Sequence, residues 1–142
     1  MKAAALALAC GNDTTGIPAG VEVFVANLNG PNERPTPVTT TATGRAVITV
    51  LGNLVSWKVD ITSAIDSVTI GHIHKGVADS AGGVMLNLNP TPTGIGFTGA
   101  LAVGSATVED SVLTHMRNGR AYVNIHTKVN GGGEIRGQTL KQ

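Results

Sequence analysis

The sequence predicts an all-β domain: a Greek-key β-sandwich of about eight short strands with one short helix, superoxide-dismutase-like or immunoglobulin-like. Three observations carry that prediction. Valine, isoleucine and threonine dominate the periodic segments, and these residue types fit strands better than helices. The same segments alternate apolar and polar residues with a period of two. Glycine, proline and asparagine clusters separate them at short intervals, as turns require. With 142 residues the chain is one domain's worth, long enough to bury a core without disulfide support.

Composition excludes several function classes. The net charge is +1 and no basic run occurs, so the chain lacks the clustered cationic face that a nucleic-acid binder needs. No stretch approaches the roughly 18 apolar residues of a membrane-spanning helix.

The organisation is expected to be a leader and tether over residues 1–20 and a β-sandwich over 21–142. Met1-Lys2 precedes Ala3-Ala4-Ala5-Leu6-Ala7-Leu8-Ala9 and Cys10: a charged start, a short apolar core and small residues before a cleavage point. This is similar to the lipobox of bacterial lipoproteins, although alanine stands at position 7, three before the cysteine, where leucine is usual. The resemblance implies export to the cell envelope or beyond, a lipidated Cys10, and membrane contact only through that lipid. Residues 11–20 are polar and turn-rich, as a tether would be. A single cysteine allows no internal disulfide.

Residues 21–28 alternate as a strand, and 29–37 form a proline-fixed loop that cannot continue a central ladder. Strands are expected at 43–51 and 54–61, joined by the tight turn Gly52-Asn53. Val55, Trp57, Val59 and Ile61 share a face of the second, which makes Trp57 a core residue. Residues 67–74 are the next strand, 75–83 a glycine-rich loop, 84–88 a short strand, 89–94 a turn and 97–101 a weak strand. A helix is expected from a capping-box-like Thr107–Asp110 start, with Val108, Val112 and Met116 at helical spacing and Asn118-Gly119 as the stop. Strands over 120–127 and 134–140 close the chain.

The chemistry-bearing residues lie on these strands. His72 and His74 are two apart and so point to one face, roughly 6.5–7 Å apart along the chain. Tyr122, Asn124 and His126 share one face of their strand, opposite Val123 and Ile125. If the two strands are neighbours, His72, His74 and His126 converge. Three neutral imidazoles suit copper or zinc and leave a fourth position open. The competing reading is a hydrogen-bonded histidine cluster that only shapes the end of the sandwich.

These residues carry a resemblance. His72-Ile-His74 before a glycine loop, then Ala121-Tyr-Val-Asn-Ile-His126-Thr127, then Gly132-Gly-Glu-Ile-Arg-Gly137, resembles the CHRD domain, named after its occurrence in chordin. The segment 32–38 is similar to that family's acidic, proline-containing segment, and Gly44 falls where a glycine is expected. The similarity spans 21–140, with Arg34 in place of a small apolar residue and Lys75-Gly76 in place of Gly-Pro. It implies a β-fold and export and names no reaction; in chordin the domain belongs to an extracellular binder of growth factors. The three histidines are also similar to the copper site of copper–zinc superoxide dismutase, but the bridging histidine, the aspartate cluster and the disulfide pair of that enzyme are missing.

Around the histidines, Glu134 is either a fourth ligand, an orienting group, or the partner of Arg136 or Arg120 in a salt bridge. Glu33 either reaches the same end or ties its loop to backbone amides. Asn124 reads as a bridging amide, Tyr122 as a cover of the histidine end or a rim residue, Arg136 as a flanking group, and His115 as solvent-facing. Ser80, Ser105 and Ser111 lack a nucleophile elbow, and Gly131-Gly132-Gly133 lacks the ending of a P-loop and reads as a turn. The function expected is binding of a transition metal, copper before zinc, in metal handling or as a metal-stabilised binding module. The alternatives are a metal-free module for an extracellular protein or glycan, and a mononuclear copper enzyme acting on superoxide or peroxide.

Overall fold

The computed structural model describes residues 16–142; Cys10 and most of the expected leader lie outside the described residues. The elements are β1 (Val21–Asn29), a 3-10 turn (Gly30–Asn32), β2 (Thr43–Leu51), β3 (Leu54–Ile65), β4 (Val68–Lys75) and β5 (Val84–Asn87). They continue with β6 (Phe97–Thr107), α1 (Asp110–Arg117), β7 (Ala121–Thr127), β8 (Ile135–Gln138) and β9 (Leu140–Lys141). The strands form one antiparallel sheet in the order β5-β4-β7-β8-β1-β2-β3-β6, with β9 also paired to β1. The sandwich is thus a single curled sheet. Its two halves, β5-β4-β7-β8 and β1-β2-β3-β6, meet where Asn29 pairs with Arg136.

The halves close on a core that includes Phe24, Leu28, Ile48, Val55 and Val59 from one side and Ile73, Val123, Ile125 and Ile135 from the other. Burying such side chains is the main favourable term in folding. Trp57 lies in this core as expected, and its indole N–H donates to the Leu88 carbonyl at 3.1 Å, tying β3 to the chain just after β5. The Gly52-Asn53 hairpin forms at its expected place, with Gly52 at φ +61° in the left-handed region.

Several elements differ from expectation: β3 runs on to Ile65 where a strand was expected to end at 61, and the closing strand expected over 134–140 is two, β8 and β9, broken at Thr139. The sixth strand runs to Thr107, because pairing with β3 carries it past glycines that weaken its local signal. Gly104 is required there: a Cβ would come within 2.7 Å of the Trp57 ring. The helix therefore starts later, at Asp110, and Thr107 ends a strand where it was expected to be a cap. The helix start is fastened by the Asn53 side-chain amide, which donates to the Val108 carbonyl at 2.9 Å and the Asp110 carboxylate at 2.8 Å. Leu113 and Met116 bury its apolar face, and Gly119 at φ +72° ends it.

Candidate metal centre

Strand pairing builds the site. β4 and β7 are neighbours, with His72 opposite Asn124, His74 opposite Tyr122 and Ile70 opposite His126. His72 and His74 of β4 and Tyr122, Asn124 and His126 of β7 therefore lie on one face, away from Ile73, Val123 and Ile125. The structure brings His72, His74 and His126 together, with a ligand atom from each lying within 4.8 Å of the others. Their ring centroids are 5.2, 5.1 and 5.7 Å apart.

Backbone carbonyls set two of the three tautomers. His74 Nδ1 is 2.8 Å from the Gly82 carbonyl and His126 Nδ1 is 2.9 Å from the Gly131 carbonyl. A carbonyl only accepts, so each Nδ1 carries the hydrogen and each Nε2 keeps its lone pair. His126 Nε2 stands 3.3 Å from His72 Nδ1. His74 Nε2 is buried and has no hydrogen-bond partner among the described residues. Such an orphan is costly, and a buried lone pair facing two other imidazoles is what a metal ligand looks like before it binds. The donor set fits a borderline-soft divalent ion.

His72 and His74 are also kept neutral. Burial, followed by the neighbouring rings of His126 and His74, pushes the His72 imidazole down to about 4. Burial lowers His74 as well, partly opposed by its bond to the Gly82 carbonyl. Both rings are therefore unprotonated at neutral pH, the form that binds metal.

The residues behind the histidines hold them in place. The Tyr122 ring stacks on His74 with centroids 5.0 Å apart and planes 8° apart, and the Arg136 guanidinium lies 3.5 Å over the Tyr122 ring. The Tyr122 hydroxyl accepts the Gly82 N–H at 3.0 Å, while Arg136 donates to the Val77 and Ser80 carbonyls at 2.9 and 2.7 Å. These bonds fix the loop that presents Gly82 to His74. Asn124 donates to the Glu33 carboxylate and, at 3.1 Å, to the Ile135 carbonyl. Glu33 is 3% exposed; burial pushes its carboxyl up to about 7, against the Asn124 bond and the Arg136 charge.

Glu134 forms neither of the salt bridges expected as one of its roles. Instead of pairing with Arg136 or Arg120, it accepts from Thr40 at 2.7 Å, Thr127 at 2.8 Å and the Asn130 amide at 3.1 Å. It precedes β8, so the strand alternation that would align it with Arg136 does not apply. Its bonds secure the loop whose Gly131 carbonyl holds His126. The glycine run is a turn, as expected, and Gly133 at φ +126° makes room for the Glu33–Asn124 pair: a Cβ there would lie 2.5 Å from the Asn124 amide. His115 sits on α1, half-buried and outside the cluster. The carbonyls of Gly82 and Gly131 had no side-chain signal; the glycine-rich loops were the only hint of them.

Fold and site together define an all-β domain with three imidazoles gathered on one sheet face, His74 and His126 buried and His72 half-buried, at a spacing that could hold a metal ion. Residues 24–139 match the CHRD domain family, and the chain belongs to it. Comparison with curated proteins and with solved structures finds no match.

Proposed function

We propose that this CHRD domain binds a transition metal, copper before zinc, through His72, His74 and His126, in metal handling or as a metal-stabilised binding module. The observation that supports this most is the buried, unpartnered His74 Nε2 beside two further imidazoles. Copper or zinc bound there would supply Lewis acidity, and copper also one-electron chemistry. Tyr122, Arg136 and the two glycine carbonyls would keep the rings oriented; Asn124, Glu33 and Glu134 would brace the loops around them.

The protein is further proposed to be exported and lipid-anchored through Cys10, on the strength of its leader-like start and its family. Among the described residues no helix is long and apolar enough to cross a membrane. Replacing Cys10 with serine should move the protein from the membrane fraction to the soluble one; membrane association that persists defeats the anchor.

Elemental analysis followed by Cu(II) and Zn(II) titration of the stripped protein tests the metal reading. One ion per chain is expected, lost in both His72→Ala and His126→Ala. Stoichiometric binding that survives both substitutions rules out this site. No binding at all leaves the metal-free module for an extracellular protein or glycan.

A further inference from the structure

Beyond the Tyr122 ring, on the side away from His74, lies a second polar site. A cavity of about 270 Å³ is lined by Asn27, Asn29, Asn32, Arg34, Arg136 and Gln138, with Ala78 and Leu140 at its edge. It forms where β1 meets β8, so the alternation that sends Leu28 into the core turns Asn27 and Asn29 to the outer face.

Arg136 is the central residue. It is 1% exposed, yet its hydrogen bonds among the described residues all leave from one nitrogen, Nη2, to Val77, Ser80 and Gln138. Nε and Nη1 remain with donor hydrogens to give. The ion pairs among the described residues are Lys58–Asp60, Arg117–Glu22 and Lys141–Glu22, and Arg136 takes part in none. The carboxyl group whose charge it feels is that of Glu33, which makes no ion pair with it and is itself pushed up to about 7. A buried cation without a contacting anion is expensive to keep. Arg34 adds a second cation, steadied by bonds from Nη1 to the Pro31 and Glu33 carbonyls at 2.9 and 2.8 Å. The lining contains no carboxylate. Of its four side-chain amides, Gln138 is engaged by Arg136 and by the Gly76, Gly119 and Ala121 carbonyls, whereas Asn27, the Asn29 amide nitrogen and the Asn32 amide oxygen keep hydrogen-bonding capacity.

We propose that this cavity binds a small hydroxylated carboxylate of the uronic-acid class, its carboxylate on Arg136 and Arg34 and its hydroxyls on the asparagine amides. The planar guanidinium fork matches a carboxylate, which the point charge of a lysine would not. The remaining asparagine donors and acceptors serve hydroxyls, for which a simple inorganic anion has no use. The volume lies below the roughly 300–1,000 Å³ of drug-sized sites, which limits the ligand to about one sugar ring.

The test is calorimetric titration of the folded, metal-free protein with D-glucuronate, D-glucose, acetate and inorganic sulfate. Glucuronate should saturate at one per chain and bind at least about tenfold more tightly than acetate or sulfate, with no measurable binding of glucose. Asn27→Asp sets a carboxylate at an exposed position of the lining, and Arg34→Gln removes one cation. Each should weaken glucuronate by at least about tenfold while leaving the thermal melt unchanged. Absence of saturation with glucuronate, affinity unaltered by both substitutions, or equal affinity for sulfate or acetate would each overturn the proposal. Since no metal is present in the experiment, its result is independent of the histidine site.

Discussion

The two faces of β7 are equally buried and are held together by different physics. Val123 and Ile125 face the core at 0% exposure, while Tyr122, Asn124 and His126 face the loops at 2, 3 and 8%. On the inner face an apolar side chain of about the right volume suffices, because the attraction is non-directional. On the outer face every polar atom needs a named partner: Asn124 has Glu33 and Ile135, Tyr122 has Gly82, and His126 has Gly131 and His72. Burial alone therefore does not separate core from site in this strand. Partner accounting does, and the place where it fails, His74 Nε2, is the place to look for a ligand.

The contrast can be broken by substitutions that swap the expected losses. Ile125→Ala should have the largest effect, costing about 2–5 kcal/mol in urea denaturation while the folded fraction still takes up one metal ion. His126→Ala should do the reverse, with loss of the ion and a much smaller change in stability. Equal destabilisation by the two would erase the distinction between the faces.

Asn124→Ala comes next, at about 1–3 kcal/mol, because it leaves the Glu33 carboxyl and the Ile135 carbonyl without their donor. A loss well under that range, measured by the same denaturation, would mean that water replaces the amide and that this face is wetter than its exposure suggests. Tyr122→Phe keeps the ring between Arg136 and His74 but removes the acceptor for the Gly82 N–H. It should cost about 0.5–1.5 kcal/mol and weaken copper binding about tenfold through the loosened loop. Unaltered copper affinity would show that the hydroxyl contributes nothing to the orientation of His74.

The smallest effect concerns pH. The Glu33 carboxyl rises from its ordinary 4.5 to about 7, so the folded protein binds the extra proton and stability is lost as pH rises across that interval. The His72 imidazole falls from 6.5 to about 4, so the unfolded chain binds the extra proton and stability is gained as pH rises from about 4 to 6.5. The two slopes oppose each other between about pH 4.5 and 6.5. Glu33→Gln removes the falling arm and leaves the rising contributions of the lowered His72 and His74 imidazoles, so its stability should climb with pH more steeply than the parent protein's. A level profile in the variant would contradict the lowered imidazole. The same shift places the acid loss of metal binding below the pH near 6 at which an ordinary imidazole would protonate.

The strands were legible because a period of two survives in any sheet with one apolar face, and β2 agrees with its expected limits to the residue. The histidine pair was legible for the same reason, since alternation alone puts His72 and His74 on one side. The full length of β6 was not, because Gly99 and Gly104 look like breaks until Trp57 and the β3 ladder are beside them. The helix cap was misplaced for the same cause, a strand that consumed the residues of the apparent capping box.

By itself the sequence determined which residues face which way, and with that the class of the fold, the buried Trp57 and the candidacy of three imidazoles. The tertiary structure alone decided that β4 lies against β7, that glycine carbonyls hold two of the rings, that Glu134 ties down a loop, and that Arg136 is buried without an ion-pair partner among the described residues. The division has a physical reason. Side-chain direction is a local property of a strand, whereas partnership between backbone groups and distant side chains depends on which loops close over the sheet.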